Sequence, residues 1–329
     1  MNKPDLDSLF DSFNGLRVLI VGDVMVDNYI NGKVERVSPE APVPVVDVTN
    51  IESRLGGAAN VALNIKSLGA TPIMVSVIGN DKEGQDLKKL LEDQNIYSKG
   101  LLMSDSRKTT TKTRVVGNNH QLLRFDHEVK SDLNSVDSFL LEEYFDKEIE
   151  GVDVVIFEDY NKGVLHAQNI KSFIDKANKL GIPTIVDPKK NNFLEYQNTT
   201  VFKPNLKEIK EGLNLDASFE RIVEVEYAIS LLESKLRNKM TLVTLSERGV
   251  IISNQGNFIQ IPAHIRNIAD VSGAGDTVVS VAALALAKNA EPNLIAELSN
   301  LAGGLVCEKR GVVPINKSEL LAEAKKILA

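Results

Sequence analysis

Apolar runs that alternate with helical segments constrain the fold of this 329-residue chain more than any other feature of its sequence. Runs typical of buried strands cover residues 17–21, 71–78, 152–157, 182–186, 200–202 and 241–244. Helical periodicity covers residues 57–68, 165–180, 219–236, 274–288, 294–308 and 317–328. Strands that alternate with helices predict a parallel sheet that is covered on both faces. The sequence therefore predicts a three-layer α/β fold in a single domain, residues 1–329.

Two segments rich in β-branched residues interrupt this alternation. They are residues 43–48 (VPVVDV) and 109–116 (TTTKTRVV), and residues 122–126 add a further candidate strand. Together they predict a small antiparallel accessory sheet, formed by about residues 30–55 and 107–126. The apolar face of such a sheet needs a partner. It either closes over a substrate or pairs with a second subunit.

The charge and cysteine content exclude several classes of partner. A formal net charge of −7 is opposite to the basic excess with which nucleic-acid binders neutralise phosphates. The single cysteine, Cys307, forms no internal disulfide and lies in an apolar helical segment. The polar N-terminal residues do not resemble a signal peptide, and the longest apolar stretch, Val278–Ala287, is too short to span a bilayer. We expect a cytoplasmic protein with no nucleic-acid or membrane partner.

A glycine-rich octapeptide, Asp270–Thr277 (DVSGAGDT), leads into the apolar helix of residues 274–288. The first turn of a helix has unpaired N–H groups that attract anions, and glycines let a phosphate approach the backbone. A carboxylate at Asp276 suits such a site if it accepts the proton of an attacking hydroxyl, as phosphoryl transfer requires. The alternative is that Asp276 only stabilises the helix N-terminus, an effect of about 0.3–1 kcal/mol.

Two other phosphate-binding motifs are missing from the sequence. No GxxxxGK[ST] segment of a P-loop protein occurs. The octapeptide is not the dinucleotide-binding fingerprint either, because Val278 occupies the position of its third glycine. A dinucleotide-binding dehydrogenase is therefore disfavoured.

The segment Gly56–Ala62 (GGAANVA), taken with the octapeptide, resembles the ribokinase-like (PfkB) family of carbohydrate kinases. That family has a GGxxN segment near the sugar and a DxxGAGD segment near the γ-phosphate of ATP. Further matches follow in the same order: GND at 79–81 with Gly84, DP at 187–188, NLKE at 205–208, and Thr244, Ser246 and Gly249. The resemblance covers nearly the whole chain. It implies an ATP-dependent phosphotransferase with a ribokinase-like fold, in which the accessory sheet forms a lid on a mainly parallel central sheet.

The same resemblance implies roles for residues near the nucleotide. Asp276 matches the catalytic base, and the backbone of Gly273, Ala274 and Gly275 forms the anion hole. The expected nucleotide-binding residues are Asn205, Leu206, Lys207, Glu208, Ser246, Glu247, Gly249, Asn300 and Gly303. Glu208 is expected to bind Mg²⁺, directly or through water. Asp270 lies in a loop that binds a monovalent cation in some relatives, which makes K⁺ a candidate second ion.

Residues that follow the first predicted strand are candidates for the sugar site. Asp23 and Asp27 lie at the edge where open α/β sheets bind ligands, and carboxylates accept hydrogen bonds from vicinal hydroxyls. The alternative is that each caps a turn or a helix. Asn60 resembles a hydroxyl-binding amide, and Gly56 and Gly57 permit a close approach of the backbone.

One branch of the family resembles this chain more closely, namely the heptose-phosphate kinases of lipopolysaccharide synthesis. The residues that carry this resemblance are 21–27 (VGDVMVD), 36–44 (RVSPEAPVP), 159–163 (DYNKG) and 187–189 (DPK). They imply phosphorylation of D-glycero-D-manno-heptose 7-phosphate at the anomeric hydroxyl, which gives the 1,7-bisphosphate. The basic candidates for holding the 7-phosphate are Arg36, Lys112, Arg114, Arg124, Lys162 and Lys189.

Many members of this branch also carry a nucleotidyltransferase domain with an HxGH motif. None of the four histidines of this chain lies in such a motif, so we expect the stand-alone kinase form. The family also implies a homodimer through the accessory sheet. Two alternatives stay open: another sugar, sugar-phosphate or nucleoside kinase of the family, and a catalytically silent sugar- or nucleotide-binding regulator. The intact Asp276 and glycine loop argue against the regulator.

Overall fold

The computed structural model describes residues 5–118 and 120–328. Numbered along the chain, its strands are β1 (Arg17–Gly22), β2 (Val24–Val37), β3 (Pro44–Gly57), β4 (Thr71–Gly79), β5 (Leu101–Ser104), β6 (Thr111–Gly117), β7 (His120–His127), β8 (Val154–Glu158), β9 (Thr184–Asp187), β10 (Val201–Phe202), β11 (Met240–Thr244), β12 (Val250–Asn254) and β13 (Asn257–Ile261). Its α-helices are α1 (Leu6–Ser12), α2 (Ala58–Ser67), α3 (Lys82–Asp93), α4 (Ser135–Glu148), α5 (Ala167–Lys179), α6 (Leu206–Gly212), α7 (Ile222–Leu236), α8 (Ala274–Ala287), α9 (Pro292–Cys307) and α10 (Lys317–Leu328).

The central sheet has the strand order β13-β12-β11-β10-β9-β8-β1-β4-β5. Strands β11 to β5 in this order are parallel to their neighbours, whereas β12 and β13 extend one edge as an antiparallel hairpin. The carboxyl ends of the parallel strands therefore meet at a single edge of the sheet. Open α/β sheets bind their ligands at this edge.

Successive side chains of a strand point to opposite faces, and the central strands use this alternation to fill two hydrophobic cores. In β1, Val18 and Ile20 pack into the core that contains α1, α2, α8, α9 and α10. Leu19 and Val21 pack into the core that contains α4, α5 and α7. Because both faces are buried, these strands read as continuous apolar runs in the sequence. The predicted three-layer α/β architecture is confirmed.

A separate four-stranded sheet, with the order β3-β2-β6-β7, lies beside the central sheet. It contains the accessory segments predicted from the sequence, but β2 begins at Val24 and β3 ends at Gly57, so both strands run back to the body of the protein. We call this sheet the lid. Asp81, the N-cap of α3, accepts hydrogen bonds from the backbone N–H and the hydroxyl of Thr109, which ties the start of β6 to the body.

The pleat gives the lid two different faces. One cross-strand row is polar and consists of Arg54, Asp27, Lys112 and Asp126. A row on the other face is apolar and consists of Ile51, Ile30, Val115 and Leu123. The polar face looks toward the carboxyl edge of the central sheet, since the Lys112 Nζ lies 5.7 Å from the ring of Tyr160, which follows β8.

Two further expectations concern helices. Cys307 is buried at the end of α9, as its apolar surroundings predicted. Within residues 5–118 and 120–328, every helix is too short or too polar to cross a lipid bilayer.

Candidate active site

Five neighbouring strands, β1 and β8 to β11, each deliver a polar residue to the carboxyl edge of the central sheet. A cavity of about 560 Å³ opens there between this edge and the start of α8. The residues that line it are Tyr160, Asp187, Lys189, Lys203, Asn205, Leu206, Lys207, Glu208, Thr244, Ser246, Gly273, Gly275 and Asp276. The cavity therefore brings together residues that are more than one hundred positions apart in the sequence.

Asp276 lies in the first turn of α8 and is only 5% exposed. Gly273 precedes the helix with a φ of +79°, a left-handed conformation that glycine adopts without strain. One carboxylate oxygen of Asp276 accepts from the Asn60 amide at 2.6 Å, and the other accepts from the Tyr160 hydroxyl at 2.9 Å. Burial raises the pKa of Asp276 to about 6, although these two hydrogen bonds act in the opposite direction. A carboxylate with such a pKa suits a general base.

Two lysines bring positive charge to the same cavity. The Lys203 ammonium, 3% exposed, lies 2.9 Å from Asp187 Oδ2, and the Lys189 ammonium lies 2.7 Å from Glu208 Oε1. Burial lowers the pKa of Lys203, but the Asp187 carboxylate outweighs it and the net shift is upward. Both lysines therefore stay charged. Gly275 lies against the Asp187–Lys203 pair, so the glycine loop faces these charges.

Glu158 ends β8 inside the protein, fully buried, and neither of its carboxylate oxygens has a hydrogen-bond partner within the described residues. Oxygen atoms of Glu158, Asp187 and Asp276 lie within 4.8 Å of one another. Burial, followed by the charges of Asp187 and Asp276, raises the pKa of Glu158 well above its usual range. A divalent cation would relieve both effects, because carboxylate oxygens are the ligands that Mg²⁺ prefers. These residues therefore fit magnesium.

The segment expected to contact the nucleotide is only partly at the cavity. Asn205 and Glu208 form a capping box at the start of α6, and both line the cavity with Leu206, Lys207 and Ser246. The others do not line it: Glu247, Gly249, Asn300 and Gly303. Gly249 has a φ of +88°, and a side chain there would collide with the backbone of Ile261, so glycine is required at this position. Gly303 lets α9 pack closely on Val278 of α8.

Asp23 lies where it was predicted, directly after β1 at the carboxyl edge of the sheet, but its side chain contacts a loop. Its buried carboxylate accepts three backbone N–H groups, from Tyr160 at 2.8 Å, Lys162 at 3.1 Å and Val164 at 3.1 Å. The carboxylate thus fixes the loop that follows β8 and is shielded from the cavity. The capping alternative describes Asp23 better than direct contact with a sugar.

Asp27 and its neighbouring glycines connect the lid to the body. Asp27 is 5% exposed and pairs with Arg114 across the lid at 2.6 Å. A side chain at Gly56 would collide with the Asp27 carboxylate, and one at Gly57, whose φ is +58°, would collide with the backbone of Asp23. These glycines therefore permit close contact between β3 and β2. The amide oxygen of Asn60 is buried without a partner in the described part of the chain, which leaves it able to accept from a hydroxyl.

The basic candidates for binding a second phosphate lie at different places in the structure. Lys112, Lys162 and Arg114 lie on or beside the polar face of the lid, where Lys162 pairs with Glu128 at 2.7 Å. Arg124 pairs with Asp126 at the outer edge of this face and is half exposed. Burial, followed by the charge of Lys162, lowers the pKa of Lys112, for which no ion pair is found in the described residues.

Arg36 and Lys189, also predicted as phosphate ligands on the sugar side, do not lie with the basic residues of the polar lid face, and their role stays a prediction. Arg36 lies nine residues beyond Asp27 on β2 and is exposed, about 30 Å along the strand at 3.3 Å per residue. No local pattern in the sequence indicates that β2 continues as far as Val37. The Lys189 ammonium contacts Glu208 in the cavity, among the nucleotide candidates, whereas Lys112 lies on strand β6 of the lid.

Asp270 stabilises the loop in which a monovalent cation was expected. Its carboxylate accepts from the backbone N–H of Ser272 at 2.9 Å and of Gly311 at 3.0 Å. These contacts hold the glycine loop against the segment that follows α9. The cation itself stays a prediction.

Glu158, Tyr160, Asp187 and Lys203 were not assigned a role from the sequence. Each ends a short apolar strand or lies within two residues of its end, at β8, β9 or β10, which is the signal that could have identified them. Their proximity to Asp276 depends on the order of strands in the sheet, which no local pattern specifies.

The chain matches the family of pfkB carbohydrate kinases over residues 16–318. Among curated proteins it is 38% identical over 314 residues to "Bifunctional protein HldE" of Caulobacter sp. strain K31, which covers 95% of this chain and 64% of the relative. It is 39% identical over 314 residues to the protein of the same name from Coxiella burnetii strain RSA 331, with coverages of 95% and 64%. The chain therefore spans just under two thirds of the length of these relatives.

Solved structures share the fold at lower identity. Phosphofructokinase-2 from Escherichia coli, in complex with potassium, gives a TM-score of 0.78 at 21% identity and covers 94% of this chain and 99% of its own. Ribokinase from Arabidopsis thaliana, complexed with ribose and ATP, gives a TM-score of 0.72 at 18% identity, with coverages of 93% and 99%.

The fold is ribokinase-like α/β, as the sequence predicted. The family match defines a phosphotransferase whose acceptor is a sugar hydroxyl. The chain belongs to the pfkB family of carbohydrate kinases.

Proposed function

We propose that this kinase transfers the γ-phosphoryl group of ATP to the anomeric hydroxyl of D-glycero-D-manno-heptose 7-phosphate. The product would be the 1,7-bisphosphate, a precursor of ADP-heptose for lipopolysaccharide core synthesis. One observation carries the proposal: two separate lysines lie near Tyr160, the hydrogen-bond partner of Asp276, namely Lys189 of the cavity and Lys112 of the lid. A substrate that already carries a phosphate needs a positive charge such as that of Lys112 to bind this phosphate, in addition to the charge that binds the nucleotide.

In the proposed reaction Asp276 accepts the proton of the anomeric hydroxyl while the oxygen attacks the γ-phosphorus. The O–P bond to the sugar forms as the bond to the ADP oxygen breaks. The N–H groups at the start of α8, around Gly273 and Gly275, stabilise charge on the transferring phosphoryl oxygens. Lys189 and Lys203 supply further positive charge close to this loop.

Magnesium would be held by Glu158 and Asp187, with Glu208 as the ligand expected from the sequence. When bound it neutralises charge on the phosphate oxygens. ATP is supported by family membership, and the related ribokinase was solved with ATP. Potassium near Asp270 is supported by the potassium complex of phosphofructokinase-2. The HldE relatives are bifunctional, and we assign to residues 1–329 a single kinase domain with its lid.

On the sugar side we propose that Lys112 and Lys162 hold the 7-phosphate. Lys112 is half-buried, and the charge of Lys162 lowers its pKa further, so an anion between them would be favourable. Asp27 and the free amide oxygen of Asn60 would accept hydrogen bonds from the sugar hydroxyls. Arg114 would orient Asp27, to which it is already paired.

A substrate panel tests the proposal together with the role of Lys112. The wild type should form ADP fastest with heptose 7-phosphate, compared with heptose, ribose and fructose 6-phosphate. Lys112→Met should raise KM for the heptose phosphate about ten- to a hundredfold, the effect of losing about 1.5–3 kcal/mol from a charged hydrogen bond. Its KM for ATP should change less than about twofold.

The matched control is Lys33→Met, since Lys33 is exposed farther along β2 of the same sheet. This variant should retain the wild-type KM for both substrates. Faster turnover of ribose or fructose 6-phosphate would instead favour another kinase of the family. An equal KM for heptose and heptose 7-phosphate would contradict the phosphate site.

We further propose that the lid pairs with the lid of a second subunit through its apolar row. Ile51 on β3 and Leu123 on β7 end this row at the two outer strands of the lid, and they are 68% and 57% exposed, which is unusual for large apolar side chains. Leu123→Glu should convert a dimer to a monomer in light scattering, because it buries a charge in the interface. Val223→Glu, at an equally exposed site on α7, should stay dimeric. A monomeric wild type would contradict this proposal.

A further inference from the structure

Tyr160 is restrained at three points, although it lies in a loop and not in a strand or helix. Its backbone N–H donates to Asp23 Oδ2 at 2.8 Å. Two ammonium groups lie over its ring, with Lys189 Nζ at 5.2 Å and Lys112 Nζ at 5.7 Å from the centroid. Its hydroxyl donates to Asp276 Oδ1 at 2.9 Å. A side chain held this firmly at the cavity has a fixed direction for its one polar atom.

We propose that Tyr160 is a positioning residue, whose hydroxyl holds the Asp276 carboxylate in the orientation that receives the proton of the sugar hydroxyl. This inference rests on the proposed role of Asp276 as the base. It adds a residue that acts through the base, without touching the phosphoryl group itself.

The need for a second donor follows from the geometry of aspartate. Rotation about the bond that carries the carboxylate group is broad, so one hydrogen bond leaves its plane poorly defined. Asn60 of α2 holds one oxygen at 2.6 Å, and Tyr160 holds the other from the loop after β8. Two donors on separate elements therefore define the plane. A misplacement of about 1 Å in a reacting group can cost about a hundredfold in rate.

The ring and the loop explain why the hydroxyl stays in place. Two cations lie near the ring of Tyr160 and attract it, so the side chain resists rotation. Burial, and then the nearby carboxylates, raise the pKa of Tyr160, so the hydroxyl keeps the proton that it donates. The Asp23 carboxylate adds a further restraint. It also accepts hydrogen bonds from the backbone N–H groups of Lys162 and Val164, which fixes the residues that follow Tyr160.

A second buried tyrosine shows what a purely structural pair looks like in this protein. Tyr196 also donates its hydroxyl to a carboxylate, Asp159, at 2.7 Å. Tyr196 is fully buried in the core and does not line the cavity, whereas Tyr160 does. A tyrosine can therefore donate a hydrogen bond to a buried carboxylate without lining the cavity, so this hydrogen bond alone does not explain why Tyr160 lies there.

The test is Tyr160→Phe, which removes the hydroxyl and keeps the ring. We expect kcat to fall about tenfold. The dissociation constants of ATP and heptose 7-phosphate, measured by calorimetry, should change less than about twofold. In a double-mutant cycle with Asp276→Ala, measured in single turnovers, the tenfold effect of Tyr160→Phe should shrink below about twofold, because it acts through Asp276. The matched control is Tyr227→Phe, an exposed tyrosine of α7, which should match the wild type.

Each other outcome has a distinct meaning. An equal loss in the Asp276→Ala background would show that Tyr160 acts independently of the base and would overturn the inference. So would a loss confined to the binding constants. If the single turnovers of Asp276→Ala are too slow to compare, the split between kcat and the dissociation constants decides. Wild-type turnover by Asp276→Ala would instead overturn the proposed function.

Discussion

Replacing Asp276 by asparagine is expected to lower turnover by at least about a hundredfold, the scale of general-base catalysis. The amide cannot accept the proton of the sugar hydroxyl. It also offers only one oxygen to two donors, Asn60 and Tyr160, which both contact the carboxylate now. Steady-state turnover with ATP and heptose 7-phosphate measures the loss, and calorimetric ATP binding should be retained within about threefold.

The pH dependence gives this substitution a second, independent measurement. Burial raises the pKa of Asp276 to about 6, so the carboxyl is ionised above that pH and protonated below it. For the wild type, kcat/KM should therefore fall as the pH drops through about 6. The residual activity of Asp276→Asn should lack this limb. Asp175→Asn, an exposed substitution on α5, is the control and should keep both the rate and the limb. Near-normal turnover by Asp276→Asn would contradict the role of Asp276 as the base and would leave it only the role of stabilising the N-terminus of α8.

The central sheet was predictable because its strands are buried on both faces. Their apolar runs, such as residues 17–21, differ from every neighbouring segment. Strand β2 has a weaker signal, since Asp27, Asn31 and Lys33 interrupt its apolar residues and only its first four residues are buried. The hairpin β12–β13 and the edge strand β5 were not predicted. Short strands at an edge carry too few residues to show a period.

In the candidate site, too, roles that depend on neighbouring residues in the sequence were predictable, whereas roles that depend on distant residues were not. Asp276 was predictable because the glycines that let a phosphate approach lie beside it in the sequence. The role of Asp23 depends on its contact with a loop 137 positions later, through the N–H of Tyr160. A carboxylate that follows a strand can accept hydrogen bonds from a ligand or from a loop. Which of the two it contacts depends on the strand that lies beside it. Here β8 lies next to β1, and its loop takes the carboxylate.

Burial of Glu158, Asp187 and Asp276 close together has a cost that the two lysines offset. Like charges within 4.8 Å repel in a buried site, and the raised pKa of Glu158 reflects this. Burial also raises the pKa of Asp187, but Lys203 and Lys189 outweigh it and the net shift is downward. The ion pair of Lys203 with Asp187 therefore connects the stability of the fold to the charge of the active site.

Lys203→Met is for this reason expected to have the largest effect on stability. It leaves the Asp187 carboxylate buried beside two others, and breaking a buried ion pair from one side costs about 3–5 kcal/mol. Lys189 compensates only in part, because its ammonium lies 3.6 Å from Asp187 and is bound more closely to Glu208, at 2.7 Å. Equilibrium urea unfolding measures the loss. Lys171→Met, an exposed lysine of α5, should change the free energy of unfolding by less than about 0.5 kcal/mol.

A double variant shows whether the uncompensated charge is the cause of this loss. Lys203→Met with Asp187→Asn should be more stable than Lys203→Met alone, since no unpaired carboxylate is then buried at that position. The pH acts in the same direction. The lowered pKa of Asp187 stabilises the wild type above the ordinary aspartate value of about 3.9, and this contribution is lost as the pH falls below it. The deficit of Lys203→Met should thus be full at neutral pH and shrink in acid. A deficit that is independent of pH and unchanged by Asp187→Asn would mean that Lys203 stabilises the protein by packing and not by its charge.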